Sequence, residues 1–221
     1  MKKVKKNGLF VVFEGVDGCG KTTLAKRFYE YLLNKKVSVE LTREPGQSVI
    51  GKDIKAILFE RAKLKKRNFY VDYCLFTADR IMHIEEVILP ALIEKKIILC
   101  DRFFDSSLVY QGMQCQEKVL KAFFYAVNNG ISPHVTVYVK VSLPVVIERE
   151  KKRDDPRNLG MIEMKNIKEL IKRYDALYKN KKSLIVIDGD ADELTMFNQL
   201  IEKLTDRYLL PFFPKPKQIS E

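Results

Sequence analysis

Residues 9–23, Leu-Phe-Val-Val-Phe-Glu-Gly-Val-Asp-Gly-Cys-Gly-Lys-Thr-Thr, join a short apolar run to a Gly-x-x-x-x-Gly-Lys-Thr pattern, after which helical spacing begins. Glycines at this spacing let the backbone curl, so that successive N–H groups point inward at the oxygens of a phosphate. The helix that follows presents the positive end of its dipole to the same anion. The segment therefore predicts a P-loop that binds a nucleoside triphosphate. Its predicted binding residues are Gly15, Val16, Asp17, Gly18, Cys19, Gly20, Lys21, Thr22 and Thr23.

Apolar, β-branched runs recur along the chain and alternate with segments of helical spacing. The runs occupy residues 9–13, 37–41, 97–100, 135–141 and 184–187, and the helical segments include about 71–95, 163–178 and 192–207. Pro90 is expected to kink or end the first of these helices. Strands that alternate with helices indicate an α/β fold. We predict a three-layer nucleotide-binding fold, whose five-stranded parallel sheet is covered by helices on both faces.

The length of 221 residues suits one compact domain, residues 1–221, with a core over about residues 9–205. No repeat or low-complexity linker divides the chain. The proline-containing stretch over about residues 211–221 is predicted to be an irregular tail.

The chain is basic, with 40 Lys and Arg against 29 Asp and Glu and a formal net charge of +11. Such a charge suits phosphate-bearing small molecules or nucleic acid, and net charge alone does not choose between them. The lysines are scattered, without a recognisable nucleic-acid motif around them. We therefore expect solvated lysine faces and no nucleic-acid partner.

The four cysteines, Cys19, Cys74, Cys100 and Cys115, form neither a Cys-x-x-Cys pair nor a zinc pattern. We expect reduced thiols, with Cys100 packed in the core and Cys19 an open candidate for a reactive thiol. The basic amino terminus is not followed by a signal-length apolar stretch, and no segment approaches the roughly 18 apolar residues of a membrane span. These features predict a cytoplasmic protein without a membrane partner.

The segment Thr42-Arg43-Glu44-Pro45-Gly46 follows the second predicted strand, where parallel strands open toward a ligand crevice. Arg43 can fork onto a phosphate and Glu44 can orient it. The alternative is an ordinary charged turn.

Phe76 and Arg80 are four residues apart on one helix face. A ring there can stack on a base while a guanidinium donates to its acceptors. The alternative for Phe76 is core packing.

The third strand run ends in Asp101-Arg102. An acid at this position can hold Mg²⁺ through water, and Arg102 can meet another phosphate. The alternative is that Asp101 caps the next element. Asp-Ser-Ser-Leu-Val-Tyr-Gln-Gly follows at residues 105–112.

Taken together, these motifs resemble the thymidylate kinase family over about residues 9–205. The P-loop, Thr-Arg-Glu-Pro-Gly, Phe-x-x-x-Arg and Asp-Arg-x-x-x-Ser-Ser-x-x-Tyr-Gln-Gly appear here in the family's order. The resemblance implies transfer of the ATP γ-phosphoryl group to dTMP, giving dTDP, with Mg²⁺ required. It also implies the P-loop nucleotide-kinase fold with its five-stranded parallel sheet, a mobile lid, at about residues 149–163 here, and a homodimer.

The resemblance also implies roles for individual residues. Thr22 and Asp101 are the expected metal-site residues, and Asp17 is expected to meet the deoxyribose 3′-hydroxyl or the metal. The residues implied to bind the acceptor are Asp17, Arg43, Glu44, Phe76, Arg80, Arg102, Ser107, Tyr110 and Gln111. Arg43 and Arg102 resemble phosphate clamps, Phe76 would stack on thymine and Arg80 would donate to O4. Ser107 and Gln111 would contact the base edge, and Tyr110 would occupy the space of a ribose 2′-hydroxyl.

The sequence departs from the family pattern at two places. Gln47 stands where the family commonly has a second glycine, and Asn158-Leu159-Gly160 replaces the expected lid continuation. The resemblance implies a basic residue, either in the P-loop or in the lid, that neutralises the transition state. Because the P-loop here carries no cation before Lys21, we expect the lid to supply it from Arg153 or Arg157, with Arg149 as the next candidate. The expected catalytic residues are Lys21, Arg102, Arg153 and Arg157. Two alternatives stay open: another nucleotide or deoxynucleoside kinase, and a P-loop ATPase or switch that acts on a macromolecule.

Overall fold

The computed structural model describes residues 8–152, 166–181 and 183–213, the side chains of Glu150 and Asp206 excepted. Five strands form one parallel sheet in the order β2-β3-β1-β4-β5. They are β1 (Leu9–Glu14), β2 (Val39–Arg43), β3 (Ile97–Asp101), β4 (Val135–Lys140) and β5 (Leu184–Asp188). The predicted five-stranded parallel sheet is therefore confirmed.

Helices connect the strands, as the alternation of patterns predicted. They are α1 (Lys21–Asn34), α2 (Gly51–Ala62), α3 (Phe69–His83), α4 (Leu89–Ile93), α5 (Phe104–Tyr110), α6 (Glu117–Val127), α7 (Leu143–Lys151), α8 (Ile167–Tyr178) and α9 (Glu193–Leu204). Short π-helical turns lie at Ile84–Ile88 and Thr205–Leu209, and 3-10 turns lie at Gln111–Met113 and Leu210–Phe212.

The central strands β1 and β3 are buried along their whole length because helices cover both faces of the sheet there, which is the physical reason that these strands are almost entirely apolar. Side chains of β1 alternate between the faces. Val11 and Phe13 pack with one core cluster, which includes Phe28 of α1. Phe10 and Val12 pack with the other, which includes Phe103 and reaches α6. This arrangement gives the three layers that the sequence predicted.

The helix predicted over about residues 71–95 begins earlier and continues past Pro90. It begins at Phe69 because the side chain of Asn68 accepts a hydrogen bond from the backbone N–H of Tyr70, at 2.9 Å. Proline removes one helical hydrogen bond and its ring clashes with the preceding turn. The π-helical turn at Ile84–Ile88 widens the helix just before Pro90, and α4 then continues to Ile93.

The second strand lies two residues further along than predicted, and this shift positions the site. Val37 donates its backbone N–H to the carbonyl oxygen of Leu32 and so caps the end of α1 instead of starting the strand. The register between β2 and β3 pairs Arg43 with Asp101, and the register between β1 and β3 pairs Phe13 with Asp101. The segments that follow β1, β2 and β3 therefore leave the sheet side by side at the carboxyl ends of the strands, where ligands bind in such folds.

Some predicted segments lie partly outside the described residues. Only residues 149–152 of the predicted lid and 211–213 of the predicted tail are described, as are residues 166–178 of the helix predicted over 163–178.

Asp192 caps α9 by accepting from the backbone N–H groups of Leu194 and Thr195. In the described part of the chain, no helix combines the length and apolar character needed to cross a bilayer.

Candidate active site

The loop between β1 and α1 adopts the curled conformation that its glycines predicted. Gly15 has φ 147° and Gly20 has φ 96°, values that L side chains rarely adopt. A Cβ atom on Gly15 would lie 2.8 Å from both the Sγ atom of Cys19 and the carbonyl oxygen of Val139. Glycine is therefore required at position 15 by conformation and by space, and the loop can approach an anion closely.

The side chain of Lys21 lies across the P-loop. Its Nζ atom donates to the carbonyl oxygen of Val16 at 3.3 Å and to Oδ1 of Asp17 at 3.4 Å. A cavity of about 340 Å³ opens here, the P-loop cavity. It is lined by Asp17, Gly18, Gly20, Lys21, Thr22, Thr23, Leu24, Arg149, Glu193 and Met196. The first turn of α1 thus faces a space that can admit a polyphosphate.

Arg149, on α7, is bound against the P-loop. Its guanidinium donates to the carbonyl oxygens of Gly18 at 3.4 Å, Cys19 at 3.2 Å and Ala191 at 3.4 Å. These contacts hold a permanent cation at the wall of the P-loop cavity. Arg153 and Arg157, the predicted lid cations, lie outside the described residues.

Thr22 and Asp101, the two predicted metal-site residues, are in contact at the end of the sheet. The Thr22 hydroxyl donates to Oδ2 of Asp101 at 2.5 Å. The other carboxylate oxygen, Oδ1, is buried and has no hydrogen-bond partner within the described residues. Hydroxyl and carboxylate oxygens are the donors that Mg²⁺ prefers. This donor pair, with one carboxylate oxygen unsatisfied, fits a hydrated Mg²⁺ ion.

Arg102 has φ 72°, a left-handed value that is uncommon for a residue with a side chain. Its backbone N–H donates to Phe13 at 2.9 Å. Its guanidinium donates to Asp17 at 2.5 Å, Ser106 at 3.0 Å and Tyr110 at 3.2 Å. Although burial alone would lower the pKa of Arg102, the Asp17 carboxylate and neighbouring phenols raise it. Arg102 is therefore a fixed cation beside the P-loop.

Glu14, the last residue of β1, holds the segment after Arg102 and was not predicted as a site residue. Its buried carboxylate accepts from the backbone N–H groups of Phe103 at 2.9 Å and Ser106 at 3.2 Å. It also accepts from the hydroxyls of Ser106 at 2.6 Å and Tyr174 at 3.0 Å. Burial and the Asp105 charge raise the pKa of Glu14. A carboxylate at the end of an otherwise apolar strand was the available sequence signal.

Arg80 is almost completely buried, at 2% exposure, and two of its three guanidinium nitrogens donate hydrogen bonds to described residues. Nε donates to Oε2 of Glu44 at 2.7 Å, and Nη2 donates to the Phe103 carbonyl at 3.3 Å and the Ser107 hydroxyl at 3.1 Å. Nη1 is buried with no partner among the described residues. An unsatisfied charged donor is costly unless a ligand meets it. Arg80 therefore keeps one N–H donor without an acceptor, in a side chain that lines a cavity.

Glu44 has different partners from the one predicted. We expected it to orient Arg43, but its two carboxylate oxygens contact Arg80 and Nδ1 of His83, the latter at 3.0 Å. Both partners lie on α3, whose buried face reaches the end of β2. Arg43 is exposed and lines the same cavity as Glu44 and Arg80.

A cavity of about 450 Å³, which we call the main cavity, extends from the P-loop to α3 and to the segments that follow β2 and β3. It brings together every described residue predicted to bind an acceptor: Asp17, Arg43, Glu44, Phe76, Arg80, Arg102, Ser107, Tyr110 and Gln111. It shares Asp17, Lys21 and Thr22 with the P-loop cavity. Two ligands, one in each cavity, would therefore meet at Lys21.

Cys19 is not placed to act as a reactive thiol. It is fully buried, and burial raises the pKa of its thiol. Cys100 is buried in the core as predicted, and all four cysteines are free.

A parallel sheet with a P-loop at one strand, and an arginine-lined cavity at the neighbouring strand ends, defines a P-loop nucleotide kinase. A sequence model of the thymidylate kinase family matches residues 13–200. The thymidylate kinase of Finegoldia magna is 34% identical over 206 residues, which cover 91% of this chain and 100% of the relative. That of Thermoanaerobacter sp. (strain X514) is 36% identical over 209 residues, covering 91% and 99%.

Among solved structures, the thymidylate kinase of Ehrlichia chaffeensis matches with a TM-score of 0.69 and 26% identity. The match covers 90% of this chain and 99% of that one. The chain belongs to the thymidylate kinase family.

Proposed function

We propose that this kinase transfers the γ-phosphoryl group of ATP to the 5′-phosphate of dTMP, giving dTDP. The observation that carries this proposal is the pair of adjoining cavities, which share Asp17, Lys21 and Thr22. Phosphoryl transfer requires two polyanions to be held in line, and it needs no covalent intermediate with the protein. A donor over the P-loop and an acceptor in the main cavity would meet this requirement.

The donor side would be held by the P-loop. Backbone N–H groups and the start of α1 would bind the ATP phosphates, and Lys21 would neutralise charge on the transferred group. Arg149 lines the P-loop cavity and is fixed by three carbonyl oxygens, so it would contact the bound nucleotide.

The residues that would hold Mg²⁺ are Thr22 and Asp101. The hydroxyl–carboxylate contact and the unsatisfied Oδ1 atom of Asp101 support this assignment. When bound, the ion supplies neutralisation of the phosphate charges.

The acceptor side would be read by α3 and by the segment after β3. Arg43 and Arg102 would clamp the 5′-phosphate, because a guanidinium can donate two parallel hydrogen bonds to it. Phe76 would stack on thymine, and the unpaired Nη1 of Arg80 would donate to O4.

The remaining acceptor contacts would select the base edge and the sugar. Ser107 and Gln111 would meet the base edge, since both line the main cavity. The hydroxyl of Tyr110 lies 3.4 Å from Oδ2 of Asp17. This pair would meet the sugar, with Tyr110 filling the space of a 2′-hydroxyl and Asp17 reaching the 3′-hydroxyl.

The lid, at about residues 149–163, would close over both nucleotides and exclude water, which would otherwise hydrolyse ATP. Arg153 and Arg157 would then supply the cation that the P-loop lacks before Lys21.

We assign these roles to a single catalytic domain, residues 1–221, that acts in the cytoplasm without a nucleic-acid partner.

The active form is proposed to be a homodimer. Val71 of α3 and Val119, Phe123 and Tyr125 of α6 are exposed apolar side chains on two helices in mutual contact. The Tyr73 hydroxyl donates to the Leu120 carbonyl at 2.6 Å and fixes these helices together. Sedimentation velocity of the purified protein tests the dimer, and a monomer at micromolar concentration would contradict it.

The experiment that tests the function is a coupled assay of ADP release with ATP, Mg²⁺ and a panel of nucleoside monophosphates. dTMP should accelerate ADP release more than dUMP, dCMP, dAMP, dGMP or thymidine. A faster reaction with another acceptor would identify a different nucleotide kinase. ADP release that responds only to nucleic acid or protein would identify an ATPase or switch. Lys21→Ala is the control for contaminating kinases, because it should lower every rate.

A further inference from the structure

His83 is a fully buried histidine on the same face of α3 as Phe76 and Arg80. Its Nδ1 atom lies 3.0 Å from Oε1 of Glu44, and its Nε2 atom lies 2.6 Å from Oγ1 of Thr42. Because an ionised carboxylate only accepts hydrogen bonds, Nδ1 carries the proton in its contact with Glu44. Both ring nitrogens are therefore used, and neither faces the main cavity.

Glu44 connects this histidine to Arg80. One carboxylate oxygen faces His83 and the other accepts from Nε of Arg80 at 2.7 Å, and all three side chains are at most 3% exposed. A buried carboxylate held from both sides has one orientation. The guanidinium that it binds is then fixed in its plane, because the fork geometry of arginine ties Nη1 to the direction of Nε.

We propose that His83 is a positioning residue for acceptor recognition: through Glu44, it fixes the direction of the unpaired Nη1 donor of Arg80. This inference rests on the proposed role of Arg80 as a contact to the thymine base. Without the Nδ1–H donor, Glu44 can rotate away and Arg80 can follow it. The base would then meet a mobile cation in place of a fixed donor, and affinity for dTMP would fall.

The test compares two substitutions of His83 by amide side chains, each of which keeps one of the two contacts of the imidazole ring. In His83→Asn, the side-chain amide reaches the position of Nδ1 and keeps a donor to Glu44. In His83→Gln, the amide reaches the position of Nε2 and keeps the contact to Thr42 only. Isothermal titration with dTMP and, separately, with ATP should give an unchanged ATP Kd for both variants. The Kd for dTMP should rise about tenfold in the Gln variant and less than threefold in the Asn variant.

The matched control is His134→Asn, at the other of the chain's two histidines. His134 accepts from the backbone N–H of Phe10 at 2.8 Å and lines neither described cavity. This variant should leave both Kd values unchanged. Thermal unfolding of each variant separates lost positioning from lost folding, because a purely structural defect would weaken dTMP and ATP binding together.

A double-mutant cycle tests the positioning role of His83 separately from the base contact of Arg80. Arg80→Ala should weaken dTMP binding, and His83→Gln should then have no further effect in that background. If Arg80→Ala weakens dTMP selectively while His83→Gln leaves dTMP binding within twofold of wild type, the inference about His83 is overturned and the base contact stands. If Arg80→Ala does not weaken dTMP selectively, the base contact fails and the inference fails with it. An equal loss from His83→Gln with and without Arg80 would also overturn the inference.

Discussion

The Nη2 atom of Arg102 lies 2.5 Å from Oδ1 of Asp17, across 85 residues of sequence. This ion pair joins the end of β3 to the P-loop, so the groups proposed to bind the acceptor phosphate and the sugar are held together. Asp17 also accepts from Lys21 at 3.4 Å. One carboxylate therefore contacts a cation proposed for the donor phosphates and a cation proposed for the acceptor.

We expect Arg102→Ala to lower kcat/KM for dTMP by at least about a hundredfold, because a forked phosphate contact is lost and Asp17 is left without its closest cation. Arg102→Lys should restore little, since an ammonium cannot reproduce the fork. Initial rates with varied dTMP at saturating ATP measure both variants. A change below threefold in the alanine variant would contradict the role given to Arg102.

Lys21→Ala should leave a folded protein whose phosphoryl transfer is reduced by at least about a hundredfold, because one strong donor to the transferring group is removed. Circular dichroism and the coupled assay together check this expectation. Turnover near that of wild type would show that another group neutralises the transferred phosphate.

The lid arginines and Arg149 should differ in the kinetic constant that they affect. Arg153→Ala and Arg157→Ala should lower kcat by about 10²–10³ and change substrate affinities little, as expected for contacts made mainly in the transition state. Arg149→Ala should instead raise KM for ATP, because Arg149 already lies at the P-loop. A double Arg153/Arg157 variant that keeps more than about a third of wild-type kcat, a loss under roughly 1 kcal/mol, would place the catalytic cation elsewhere.

Cys19 should resist alkylation in the native protein. Burial raises the pKa of its thiol, so the thiolate fraction at pH 8 is smaller than that of an ordinary cysteine. Peptide mass spectrometry after iodoacetamide treatment, with and without denaturant, measures the reaction. Modification of Cys19 at equal rates in the two states would mean that the P-loop opens easily.

The parts of the molecule that sequence predicted best are those with local patterns. The P-loop spacing, the apolar strands and the helix that carries Phe76 and Arg80 are each specified by a pattern of residues that are close together in the sequence. The sheet register is not local, and the prediction for the second strand was two residues short because pairing with β3 extends it to Arg43.

The residues that sequence reasoning missed act through distant partners. Glu14 accepts from Phe103 across 89 residues, and His83 contacts Glu44 across 39. Asp79 accepts from the backbone N–H of Gly46 at 2.9 Å across 33 residues and so holds the loop after β2. A buried charge is stable only with such partners, and spacing along the chain does not identify them.

The most direct test of the central claim is a competition between dTMP and dUMP for the same enzyme. With both acceptors at equal concentration and with ATP and Mg²⁺ present, chromatography of the products gives the ratio of the two kcat/KM values. One methyl group in a pocket is worth roughly 1–3 kcal/mol, so dTDP should form about 10–200 times faster than dUDP. Formation of dUDP as fast as dTDP, or the absence of dTDP, would contradict the assignment of dTMP as the acceptor.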